Sequence, residues 1–255
     1  MRLLSLIVFS AAAAAASAAD FGRILCVGDS ITGGSQGIMG YREALYNELV
    51  SHRDTFTFVG PLDWGNFPGD TRHSNCHAGM AGWSTLQLLH GRPEVGPGNI
   101  RQWLADYRPD TVIFSAGTLD VYGDVNGWQW THANVSVVRS MMESRYSEML
   151  GIILTQNPRA RVIAASPPRY LPTGVGSYWY RFNQTCGVVM NAVVQKFKSR
   201  GFNIEFVDFW NPFSDTVGVY TLPDGFHFNL PGSQKAGALI YRTMGRTSSE
   251  GQGIR

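Results

Sequence analysis

The stretch Arg23-Ile24-Leu25-Cys26-Val27-Gly28-Asp29-Ser30 decides how the rest of the chain is read. A short apolar run ends in glycine, aspartate and serine, so strand chemistry passes directly into turn chemistry. Like the strand at 23–27, the segments 56–59, 111–115, 161–165 and 204–208 are apolar, rich in β-branched or aromatic residues, and followed by turn or loop residues. Between them, 41–51, 84–90, 100–107, 135–155, 180–199 and 231–244 place apolar residues three and four apart, the period of an amphipathic helix. Strands alternating with helices predict βαβ units, hence an α/β chain folded as a three-layer α/β/α sandwich around five parallel strands.

Composition agrees with one large core. Of 255 residues, 44% are hydrophobic and 16% charged, and no long-period repeat or Pro- or Ser-rich linker divides the chain. One domain is expected over 20–246, with a polar, flexible tail at 247–255. The 21 Lys and Arg against 19 Asp and Glu leave a formal charge of +2 with no long basic run, which speaks against nucleic acid and against a polybasic membrane patch as partners. Residues 1–19 stand apart: Arg2, an apolar centre at 3–9 and the small residues Ala16-Ser17-Ala18-Ala19 read as a secretory signal peptide cut after Ala18 or Ala19. A spanning helix needs about 20 strongly apolar residues, and the alanine half of this segment is too weak. The mature chain is therefore expected to be a secreted, extracellular monomer away from membranes.

Three cysteines in an oxidising compartment leave at least one unpaired. Cys26, in the apolar run, reads as a buried small hydrophobe, which leaves Cys76 with Cys186 as the expected bridge. The triplets Asn134-Val135-Ser136 and Asn183-Gln184-Thr185 fit N-glycosylation.

The longest irregular stretches, 60–81 and 116–133, both follow expected strands and belong at the carboxyl edge of the sheet, where open α/β folds bind ligands. Ser30 belongs at the same edge, exposed at the start of a turn, although the tripeptide alone favours Asp29 or Ser30 as a simple cap or turn residue. In Asp224-Gly225-Phe226-His227, a spacing of three lets one loop hold a carboxylate beside an imidazole. A serine hydroxyl needs such a base, and the base needs an acid to fix its tautomer. Gly79-Met80-Ala81-Gly82-Trp83-Ser84 leads into a helix, so the Gly82 amide can face a developing oxyanion.

Taken together, Gly28-Asp29-Ser30, the Gly82 block, Gly117-Thr118-Leu119-Asp120 and Asp224-x-x-His227 resemble the SGNH, or GDSL, hydrolases across nearly the whole mature chain. Gly40-Tyr41-Arg42, Phe58-Val59-Gly60 and Gly79-x-x-Gly82-Trp83 are similar, more narrowly, to carbohydrate esterase family three, whose members include acetylxylan esterases. The resemblance implies a flavodoxin-like sheet of order 2-1-3-4-5, with Ser30 as nucleophile, His227 as base and Asp224 as its acid. It also implies that the Ser30 and Gly82 amides form an oxyanion hole. Leu119 stands where the family carries an asparagine whose side chain is the third donor. Losing such a donor typically lowers turnover about 100- to 1,000-fold. Asn75, His77 and Asn126 are polar candidates to replace it.

Asp29, Trp83, Trp128 and Trp179 are candidate substrate contacts, with Trp130, Tyr178 and Tyr180 nearby in the chain; aromatic faces suit sugar rings, acyl chains and the protein's own packing alike. Asp29 also suits a structural role in the turn, and Asp120 and Asp208 are weaker alternatives to Asp224. His73, Cys76 and His77 lack the second cluster of a zinc site, and the chemistry requires neither metal nor cofactor. The expected function is a secreted serine esterase that removes acetyl or other short acyl groups from polysaccharide or oligosaccharide. The alternatives are a lipase or lysophospholipase of the same fold, and a carbohydrate-binding protein that has lost turnover through Leu119.

Overall fold

The apolar run around Cys26 lies in the middle of the sheet. The structure is a computed structural model that describes residues 18–250 except 93, 95, 123–134, 170, 173, 175 and 176. Its strands are β1 (Asp20–Gly28), β2 (Thr55–Val59), β3 (Leu62–Asn66), β4 (Ser74–Gly79), β5 (Thr111–Ser115), β6 (Arg161–Ala165) and β7 (Ile204–Val207). Its helices are α1 (Ser30–Gly33), α2 (Tyr41–Ser51), α3 (Thr85–His90), α4 (Ile100–Tyr107), α5 (Thr118–Tyr122), α6 (Val135–Gln156), α7 (Tyr178–Lys198) and α8 (Leu230–Glu250).

Strands β2, β1, β5, β6 and β7 pair in parallel in that order, which is the expected 2-1-3-4-5 arrangement. Period-two alternation divides the buried residues between two faces. Ile24 and Cys26 of β1, Ile113 of β5 and Ile163 of β6 pack with Leu45 and Leu49 of α2 and with Ile240 of α8. Leu25, Val27, Val112, Phe114 and Val162 point the other way, into a core with Leu104 of α4, Leu150 of α6 and Val194 of α7. Helices on both faces bury the central strands β1, β5 and β6, which is why these read as continuous apolar runs.

The segment 60–81 is not irregular. It contains the antiparallel hairpin β3–β4, with Leu62 opposite His77 and Asp63 opposite Cys76. β4 also runs parallel to the carboxyl end of β1, bringing Gly79 beside Gly28. β3 escaped the sequence reading because Leu62-Asp63-Trp64-Gly65-Asn66 is an edge strand with four exposed residues, so burial imposes no pattern on it. Segment 116–133 begins with α5, and its remainder lies outside the described residues. The last helix reaches Glu250, beyond the expected end at Met244.

The expected disulfide is absent: Cys26, Cys76 and Cys186 are all free. Cys76 sits on β4 beside the Ser74 hydroxyl, whereas Cys186 is fully buried among the core residues of α6 and α7. The Asn183 triplet does not fit a glycan in the folded chain, because Asn183 is buried and its amide donates to the Pro168 carbonyl at 2.6 Å. Asn134 lies outside the described residues, as do 1–17 of the leader and 251–255 of the tail. Among the described residues no helix is long and apolar enough to cross a membrane.

Candidate active site

The end of β1 has no room for side chains at its glycine. A Cβ on Gly28 would lie 2.0 Å from the Ser115 carbonyl oxygen and 2.3 Å from the Thr32 hydroxyl. Asp29 then caps the single-turn helix α1: its Oδ1 accepts from the Ile31 amide at 2.9 Å. Its carbonyl receives the Thr32 and Gly33 amides. Ser30 is thereby lifted to the carboxyl edge of the sheet.

The loop before α8 brings the second half of the site. Asp224 Oδ1 accepts from the amides of Phe226 and His227, which folds the loop back on itself, and Oδ2 meets His227 Nδ1 at 2.9 Å. Gly225 adopts φ +77°, a left-handed conformation that favours glycine, with its carbonyl bonded to the Leu171 amide. His227 Nε2 lies 2.7 Å from Ser30 Oγ. The tautomer satisfying both contacts carries its proton on Nδ1, donates to Asp224 and leaves Nε2 to accept from the serine hydroxyl. Burial pushes the Asp224 carboxyl up, but the two amides and the imidazole together hold it below its ordinary value.

These groups open into a cavity of about 450 Å³ walled by Gly82, Leu119, Pro172 and Phe226. Gly82 has φ +78° and open space where a Cβ would sit. A larger concavity of about 610 Å³, lined by Arg23, Arg108 and Asp110, lies at the opposite edge of the sheet without serine or histidine. Chemistry, not volume, selects between them.

Several candidate residues are placed elsewhere. Trp83 is buried at 5% exposure and packs near Trp103, so it is core and not a substrate contact. Asp29, at 1% exposure, is a cap within the protein and does not line the cavity. Asn75 is buried against Arg42 and Met39, and His77 is buried with Nδ1 accepting from the Gly79 amide, so neither replaces the missing donor at Leu119. Asn126, Trp128 and Trp130 lie outside the described residues, as do the side chains of Tyr178 and Trp179, while Tyr180 is buried against Trp210. Asp120 pairs with Arg145, and Asp208 caps the backbone at Trp210 and Asn211, which leaves Asp224 as the carboxylate on His227. Among the described residues no three His, Cys, Asp or Glu side chains cluster as a metal site. Phe226, whose ring centroid is 4.0 Å from that of His227, and Pro172 went unnoticed in the sequence because their neighbours are set by the loop's fold.

Comparison with known proteins follows the same lines. Solved structures similar to this chain include a family 3 carbohydrate esterase of Clostridium thermocellum (24% identity over 90% of this chain and 98% of that one, TM-score 0.67). Another is a carbohydrate esterase family 3 protein from Talaromyces cellulolyticus (21%, 89% and 98%, TM-score 0.66). A third is an acetyl xylan esterase from Geobacillus stearothermophilus (17%, 90% and 95%, TM-score 0.56). At these identities the likeness is one of fold. No curated protein matches the chain. The family model of the GDSL-like lipases and acylhydrolases matches residues 26–235, from the carboxyl end of β1 through the Gly82 block and α5 to the Asp224–His227 loop. With most of its length inside that match, the chain belongs to the GDSL-like lipase/acylhydrolase family and is a carboxylic ester hydrolase.

Proposed function

We propose that the protein is a secreted serine esterase that removes acetyl or other short acyl groups from a polysaccharide or its oligomers through an acyl-enzyme. The observation that carries this reading is the contact of His227 Nε2 with Ser30 Oγ at 2.7 Å, backed by Asp224 and opening into the cavity. Ser30 Oγ attacks the ester carbonyl as its proton passes to His227, and Asp224 stabilises the imidazolium. The amides of Ser30 and Gly82 receive the developing oxyanion. Collapse breaks the ester bond, with the His227 proton leaving on the sugar oxygen; His227 then activates a water that attacks the acyl-Ser30 carbonyl, releases the carboxylate and restores the serine.

The carbohydrate esterases and the acetyl xylan esterase among the structural neighbours support an acetylated polysaccharide as the substrate. The signal-peptide composition of 1–19 supports secretion, and a cut after Ala18 or Ala19 leaves β1 whole. The apolar wall of Leu119, Pro172 and Phe226 favours, as a second reading, an acyl chain longer than acetyl. The test is acetate release from acetylated xylan and 4-nitrophenyl acetate by the mature protein beside Ser30→Ala. Activity on both that disappears in the variant is the expected result. Activity only on longer acyl esters selects the second reading, and sugar binding without any serine-dependent burst selects a protein that has lost turnover.

A further inference from the structure

We propose that Arg42 is a positioning residue for Ser30, its guanidinium clamping the two carbonyls that end α1 and so aiming the serine at His227. This inference rests on Ser30 being the nucleophile. A one-turn helix is not self-supporting, because four residues fix their backbone for very few hydrogen bonds. Its amino end is held by Asp29, and its carboxyl end by Arg42, the second residue of α2. Arg42 Nε donates to the Thr32 carbonyl at 2.8 Å and Nη2 to the Gly33 carbonyl at 2.9 Å. The third nitrogen, Nη1, donates to the side-chain oxygen of Asn75 on β4. The Trp64 ring of β3 closes the outside, with its centroid 5.2 Å from the guanidinium carbon.

The arrangement is unusual for a buried arginine. Arg42 is 0% exposed and takes part in no ion pair among the described residues. A buried cation without a carboxylate is strongly unfavourable unless its donors are all engaged. An apolar side chain would fill the same volume without that penalty, but it would not fix two successive carbonyls at a set spacing, which the planar fork of arginine does. Thr32 and Gly33 follow Ser30 by two and three residues, so a rotation of α1 carries Ser30 Oγ away from its 2.7 Å contact with His227 and turns the Ser30 amide as well. The Tyr41 hydroxyl meets the Thr32 hydroxyl at 3.2 Å from the adjoining position on α2, so two consecutive residues of that helix brace the same turn. Gly-Tyr-Arg thus gains a physical role beyond marking a branch of the family.

The experiment compares the parent protein with Arg42→Gln, Arg42→Lys and Asn75→Ala. It reads kcat and KM on 4-nitrophenyl acetate, the pH profile of kcat/KM, and the rate at which a fluorophosphonate labels Ser30, each corrected for the folded fraction by near-ultraviolet circular dichroism. Arg42→Gln is expected to lower kcat about 10- to 100-fold and to slow labelling in proportion, with KM and the pH midpoint unchanged, since a small misplacement of a reacting group has effects of that order. Arg42→Lys recovers part of the loss. Folded Arg42→Gln with the parent's kcat and labelling rate overturns the proposal. Should Arg42→Gln not fold, Asn75→Ala decides: a roughly threefold to tenfold fall in kcat at constant KM supports the clamp, and parental kcat overturns it. A folded parent inert to both ester and fluorophosphonate overturns the reading of Ser30 and this proposal with it, whereas an active parent with indifferent variants overturns the proposal alone.

Discussion

Leu119 and Asp29 show how much a single side chain decides at this site. Leu119 stands in the cavity wall with Ser30 and Gly82 and has no donor to offer an oxyanion there. Leu119→Asn is therefore expected to raise kcat on 4-nitrophenyl acetate by at least about tenfold, part of what one donor is typically worth. A rate at or below the parent's would show that the amide does not face the reacting oxygen. Asp29 is governed by its burial. Desolvation, opposed by the Ile31 amide and reinforced by the charge of Asp120, raises its pKa to about 7. Its Oδ2 has no hydrogen-bond partner among the described residues, which suits a protonated acid better than a carboxylate. Because the unfolded aspartate titrates near about 3.9, the native state binds the extra proton between that pH and about 7. The parent's stability from this group is full below about pH 4 and lost as pH rises toward 7. Asp29→Asn keeps an oxygen for the Ile31 amide but cannot ionise, so urea midpoints should show the variant gaining on the parent between acid and neutral pH. A difference that does not change with pH would mean that Asp29 titrates like an exposed aspartate.

Among the elements, the short ones carry the site and depend on close contacts made by others. α1 is pressed against β4: a Cβ on Gly79 would lie 2.4 Å from the Gly33 nitrogen, so the two backbones meet with no side chain between them. α5 is tied to α3 and α6 through Asp120, whose Oδ2 accepts from the Thr85 amide at 2.7 Å while Oδ1 pairs with Arg145. Thr85 opens α3, three residues beyond Gly82, so this buried carboxylate also fixes the segment whose Gly82 amide is proposed to receive the oxyanion. Arg145→Leu leaves Asp120 buried without its cation and is expected to destabilise the fold by about 3–5 kcal/mol in urea unfolding. A loss under about 1 kcal/mol, the range of an exposed pair, would show that the carboxylate is rehydrated instead. The ends of α3 and α7 have local causes: Ser84 and Gln87 form a capping box, and Ser177 accepts from the Tyr180 amide. α7 accordingly starts two residues earlier than its apolar period alone suggests.

For the molecule as a whole, two cores on either face of one sheet supply the stability, and no covalent bridge contributes. Cys26 and Cys186 are wholly buried and Cys76 stands apart, half-buried on β4, so a reductant is expected to leave the thermal midpoint unchanged. A fall of several degrees would reveal a bridge. The parallel sheet was legible in the chain because strands buried on both faces must be apolar throughout, and the helices between them must carry a stripe at three and four residues. The pairing of Asp224 with His227 was legible for the same kind of reason, since a spacing of three within one loop is a local contact. The β3–β4 hairpin was not, because an exposed edge strand is free of the burial that writes a pattern. Nor was the inward turn of Trp83, as an aromatic residue serves a core and a cleft equally well and only its neighbours decide. The sequence by itself determined the layers, the strand order implied by its motifs, and the kinds of residue available for chemistry. Only the tertiary structure decided that Ser30 meets His227 across 197 positions, that Arg42 grips the turn behind it and that Leu119 faces the cavity. Periodicity is a property of neighbours along the chain, whereas contact between distant segments is set by how the faces of the sheet and its helices pack.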